Sequence, residues 1–177
     1  MKRLILILLL SSLIVSCKKE HEQKSFYLKY LQLILSEKNI GRQYMIKQNL
    51  KDKVYEIEAI YLGELYSGSK KYKMMYSIGY YGNSTNSVSA NSILTLFDEK
   101  DNLIGFYSIG GKLVNSPYVK NNTLMFFPDT VNNCSQKNQI DFSEEIPKEL
   151  FLECKDGAGD IFKFQEPNKF EDNVDND

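Results

Sequence analysis

The chain has 177 residues, and its 22 lysines and arginines against 23 aspartates and glutamates leave a formal net charge of −1, a mildly acidic chain of single-domain size. That balance argues against a nucleic-acid binder, which would carry a basic patch or stripe. The single histidine, His21, and the lack of a Gly-rich loop followed by Lys-Ser/Thr argue against imidazole-dependent triads, histidine-ligated zinc and phosphate-loop hydrolysis.

The first stretch, Met1 to Cys17 (MKRLILILLLSSLIVSC), has the layout of a secretory signal. Lys2 and Arg3 precede an apolar run, Leu4 to Val15, and small residues precede a cysteine. A spanning helix needs about 20 apolar residues, and this run of 12 is too short. The tetrapeptide Ile14-Val15-Ser16-Cys17 resembles the bacterial lipobox. The resemblance implies cleavage before Cys17, a diacylglycerol on its thiol and an acyl group on its new amine. Two or more acyl chains make a stable anchor. Lys18-Lys19-Glu20 is similar to the start of many lipoproteins of the Bacteroidota. Lys18, in place of the aspartate that retains proteobacterial lipoproteins in the inner membrane, implies the outer membrane, with the periplasmic or surface face left open. Loss of residues 1–16 leaves 161 residues, with 20 basic side chains against 23 acidic.

With Cys17 lipidated, Cys134 and Cys154 form an even pair in a compartment that permits oxidation. A disulfide between them is expected, closing a loop of about 20 residues and contributing about 3 kcal/mol on the chain-entropy account. Two separately buried thiols are the alternative.

Residues 17–25 read as the lipidated cysteine and a polar tether. Ser25 is placed to cap a helix from Phe26 to about Lys38, with Gly41 as its stop. Phe26, Tyr30 and Leu33 follow one stripe, and Tyr27, Leu31, Ile34 and Leu35 fill the adjacent one, so the helix should pack against something. A membrane-surface role for it is disfavoured, because its flanks lack a basic polar face. Val54 to Tyr66 fits either period, and is read as a strand turning through Ser67-Gly68-Ser69-Lys70. The next strand alternates at Tyr72, Met74, Tyr76, Ile78 and Tyr80. Gly82 to Ser92 reads as a polar loop. A second hairpin follows, Ile93–Phe97 and Leu103–Ile109 around Asp98–Asn102, closed by Gly110-Gly111. Leu124–Phe127 and Ile140–Phe142 are short strands, and Leu150–Cys154 with Ile161–Phe164 makes a third hairpin. Glu166 to Asp177 reads as an acidic disordered tail.

These patterns predict a mainly β (α+β) fold over residues 26–165: an antiparallel β-sandwich or partly open barrel with one N-terminal helix. Twelve tyrosines and ten phenylalanines without tryptophan suit such a sheet.

No motif for catalysis stands out. Asp156 with Asp160, or Glu144 with Glu145, could serve as paired carboxylates for glycan hydrolysis, yet acidic residues in turns are ordinary. Asp98, Asp101 and Asn102 could offer oxygens to calcium but lack the EF-hand order of ligands. No metal or cofactor is expected. Tyr72, Tyr76 and Tyr80 share a core-facing row, while Tyr81 points to the opposite face beside the polar loop and is the candidate exposed contact. The sequence therefore suggests a lipid-anchored, non-catalytic module binding a polypeptide partner, with an accessory part in an envelope assembly second and a carboxylate hydrolase last. Exposed apolar surface would favour the first two readings, and a deep cleft holding two perturbed carboxylates the third.

Overall fold

The computed structural model describes residues 27–50, 53–84, 87–128, 138–154 and 157–170. The expectations for residues 1–26, Cys134, Asp156 and residues 171–177 lie outside these. A helix, α1, covers 27–37 of the described chain. Of its two apolar stripes, Tyr27, Leu31, Ile34 and Leu35 are the buried one, at the i, i+4, i+7, i+8 spacing of a single face, while Leu33 is 61% exposed. The helix ends at Lys38, whose φ of 55° turns the chain out of the helical path. Gly41, the expected stop, instead ties the chain to the sheet, its N–H donating to the Tyr61 carbonyl at 2.8 Å.

Ten strands follow among the described residues: β1 (Gln43–Leu50), β2 (Lys53–Ser67), β3 (Lys70–Ser84), β4 (Ser87–Phe97), β5 (Leu103–Gly110), β6 (Tyr118–Lys120), β7 (Thr123–Met125), β8 (Gln139–Asp141), β9 (Glu149–Glu153) and β10 (Gly159–Gln165). Seven form one antiparallel sheet in the order β1-β2-β3-β4-β5-β10-β9, and β6-β7-β8 form a second. The expected mainly β, antiparallel architecture with one helix is what the chain adopts. The large sheet is open, with β1 and β9 at its edges.

Alternation along the strands gives the large sheet two apolar faces. On one, α1 covers Ile57, Ala59, Tyr61, Met75, Ile93, Phe97 and Phe106. On the other, Leu124, Phe126 and Phe142 from the small sheet and its flanks pack on Leu65, Met74, Tyr76, Ile78, Leu94 and Tyr107. The row Tyr72, Met74, Tyr76, Ile78, Tyr80 belongs wholly to this second face, as its alternation predicts. In β2 the odd-numbered residues change face: Ile57, Ala59 and Tyr61 meet the helix, but Leu65 meets the small sheet. A bulge between Tyr61 and Gly63 supplies the extra residue, and glycine suits its φ of 117°.

Four expectations are corrected. β1 carries no strand signal in the sequence, because Lys47, Gln48 and Asn49 give an edge strand little apolar alternation. Of the expected loop Gly82–Ser92, the described residues 82–84 and 87–92 continue the strands: β3 and β4 pair through Gly82↔Val88 and Ser84↔Ser87. β6 was missed because it is three residues long, and it joins β7 through Asn121 and Asn122, both at positive φ (50° and 60°) as in a type I′ hairpin. The start of the acidic stretch is ordered: Pro167–Lys169 form a 3₁₀ turn that delivers Phe170 into the helix-side core. There it stands edge-on to Phe106 at 5.0 Å and lies 5.6 Å from Tyr27. One aromatic ring outweighs the local polarity.

Candidate binding cleft

β5 leaves the large sheet at Gly110, whose φ is 83°, and the chain then crosses toward the small sheet. Beside this crossing lies a cleft of about 240 Å³. Its apolar wall comes from Ile109, Leu113, Phe126, Leu152 and Phe162, so four separate strands or their ends supply it. Lys112, Asn115, Asn138 and Asp160 add polar groups. Pockets for small molecules run to roughly 300–1,000 Å³, and this one is the size of one or two large side chains. Val114 (53% exposed) and Phe127 (48%) stand at its rim, with Phe127 set 5.2 Å from the Tyr118 ring.

Two of the polar groups, Lys112 and Asn138, are held by partners. Lys112 donates from Nζ to the Tyr80 hydroxyl at 2.8 Å and lies 3.7 Å from the Glu58 carboxylate. The hydrogen bond to Tyr80, with Glu58 adding to it, keeps the ammonium above its ordinary pKa. Burial pushes the Tyr80 phenol up as well. The Asn138 side chain clamps the end of β9: its Oδ1 accepts from the Glu153 N–H at 2.8 Å and its Nδ2 donates to the Glu153 carbonyl at 3.0 Å.

The residues singled out from sequence are spread over the molecule. Tyr81 lies on the face opposite Tyr80, as its parity requires, but it is half-buried against the helix-side core. Its ring covers Gly79 so closely that a Cβ there would collide with it. It is a packing residue on the far side from the cleft, not an exposed contact. Cys154 does line the cleft, half-buried just past β9. Asp98 and its neighbours serve their turn. One Asp98 oxygen accepts from the Lys100 and Asn102 amides, and the other from the Asn102 side chain, each at 2.8 Å. The Asn102 side chain is the main cause holding the Asp98 carboxyl below its ordinary pKa. Asp101 pairs with Lys73 at 2.5 Å. Among the described residues no three histidine, cysteine or carboxylate side chains come together as metal ligands.

Carboxylate pairing is equally dispersed. Glu144 and Glu145 sit exposed in a turn, and Asp160 is the single carboxylate among the lining residues of the cleft. Glu56 and Glu58 share a face of β2, a pair the sequence reading passed over, but Lys47 meets the first at 2.8 Å and Lys112 the second. Lys112, Asn138 and Phe127 were also missed. Gly110-Gly111 marked the strand end beside Lys112, but nothing local shows that four distant segments meet there.

No protein-family model, curated protein or solved structure matches the chain.

Proposed function

We propose that this protein is a non-catalytic module that binds a polypeptide while tethered to the cell envelope by lipid on Cys17. The observation that carries the binding part is the cleft. An apolar wall with one carboxylate opens onto exposed Val114 and Phe127, and exposed Phe151 and Ile161 lie paired on the β9–β10 hairpin behind it. Apolar surface left in water beside a shaped cavity is the mark of a contact site. Hydrolysis of a glycoside would call for two carboxylates facing a sugar, and among the described residues lining the cleft Asp160 is the one carboxylate. The anchor part rests on the sequence from Met1 to Cys17, and a bridge between Cys134 and Cys154 beside the cleft rests on cysteine arithmetic.

Crosslinking in intact cells, followed by recovery of the tagged, lipidated protein and mass spectrometry, tests the reading. One polypeptide in near-equal amount is expected, and trace recovery of abundant envelope proteins alone would sink it. Cys17→Ser should move the protein from the membrane to the soluble fraction. A Cys134–Cys154 peptide should appear in a non-reducing digest.

A further inference from the structure

We infer that the free edge of β9 takes this polypeptide by accepting an extended segment as an additional strand of the large sheet, an inference that rests on the polypeptide-binding reading. The hydrogen-bond phase of the β9–β10 hairpin is fixed at both ends. The Cys154 N–H donates to the Ala158 carbonyl at 2.6 Å and the Phe164 N–H to the Lys148 carbonyl at 2.8 Å. With Leu152 opposite Asp160 and Leu150 opposite Phe162, the bonded pairs fall on the even-numbered residues of β9. The N–H and C=O groups of Glu149, Phe151 and Glu153 therefore point away from β10. Asn138 already takes both outward groups of Glu153, the two bonds that a neighbouring strand would make. Phe151 and Glu149 offer the same groups farther along, and no strand of the described residues pairs with that edge.

Both faces beside the edge carry apolar side chains. Phe151, flanked by Glu149 and Glu153, stands across from Ile161 on one, 45% and 58% exposed. Leu150 and Leu152 lie on the other, the second of them lining the cleft. An incoming strand would place alternate side chains against each, one row toward Phe151 and the other toward the cleft. The opposite edge, β1, carries Lys47, a residue that discourages pairing. β9 reads Glu-Leu-Phe-Leu-Glu, without lysine or proline. On the Phe151 face of β9 the flanking residues are Glu149 and Glu153, with Lys163 lying 3.7 Å from the first. The partner segment is thus extended, with apolar side chains in the row toward Leu150, Leu152 and the cleft, and basic ones in the row that meets Glu149 and Glu153 on either side of Phe151.

The test uses the full-length protein and a displayed library of random decapeptides, with enriched peptides then synthesised. Expected are alternating apolar and Lys/Arg positions, and slowed amide exchange at Glu149 and Phe151 when peptide binds. Phe151→Pro removes an outward N–H, a loss that an edge strand tolerates, and should weaken binding at least about tenfold. Should that variant unfold, the exchange pattern of the unmodified protein decides. Peptides that bind Phe151→Pro as tightly, or bind without protecting those amides, would overturn strand addition while leaving the wider reading intact. A library that yields no binder would overturn it too, and the crosslinking experiment then judges the wider reading separately.

Discussion

On the helix side of the large sheet, Tyr27, Leu31, Ile34 and Leu35 press onto four strands, β2 to β5, and Phe170 closes the end. Two polar side chains there find partners: the Tyr27 hydroxyl with Ser77 Oγ at 2.7 Å, and Lys73 with Asp101 and the Glu99 carbonyl. On the other side three short strands cover the sheet and leave a cleft beside the β9–β10 hairpin. A helix lays one continuous stripe across several strands, whereas strands of three residues cover only a patch. Both faces bury a full core, and on the proposed reading the contact surface lies at the uncovered end of the face opposite the helix.

That difference between covered core and uncovered end makes substitutions at the two behave differently. The largest loss is expected at Leu31, which is fully buried: Leu31→Ala should cost about 4 kcal/mol in chemical denaturation. Phe170→Ala should cost about 3 kcal/mol by the same measurement, and an unchanged midpoint would return the C-terminal stretch to a mere tail. Alkaline pH should also destabilise the fold. Burial raises the Tyr27 and Tyr107 phenols well above their usual pKa, and Tyr61 to about 12. Below about pH 10 these groups are neutral folded or unfolded. Above it the unfolded chain ionises first, so stability is lost as pH rises through the folded values. Thermal melts should fall across that range, and Tyr107→Phe, which also loses the bond to the Pro147 carbonyl, should flatten the fall while lowering the starting point.

Smaller effects sharpen the contrast. Among the described residues the buried Thr95 hydroxyl has no hydrogen-bond partner, and Thr95→Val should raise stability by about 1 kcal/mol. At the cleft rim Val114→Ser should move the denaturation midpoint by less than about 0.5 kcal/mol while weakening capture of the partner. A large stability loss there would mean that the cleft is core.

The parts of the fold legible in the sequence were those whose side chains alternate between water and protein, above all Tyr72 to Tyr80. β1 escaped notice because an edge strand need bury little. Residues 82–84 and 87–92 escaped because serine and asparagine signal turns even when they continue a ladder. Gly63 within an apolar run hinted at a bulge, but its consequence, the change of face along β2, emerges only from pairing. The cleft was not legible at all. Ile109, Phe126, Asn138 and Phe162 belong to different segments, and no spacing along the chain announces a meeting produced by two sheets packing together.

The most direct test places a photocrosslinking residue at Val114, at Phe151 or at Leu33 on the outer helix face, in lipidated protein within intact cells. Adducts to one polypeptide from Val114 and Phe151, with none from Leu33, are the predicted result. Adducts from Leu33 alone would contradict the account and move the contact surface to the helix.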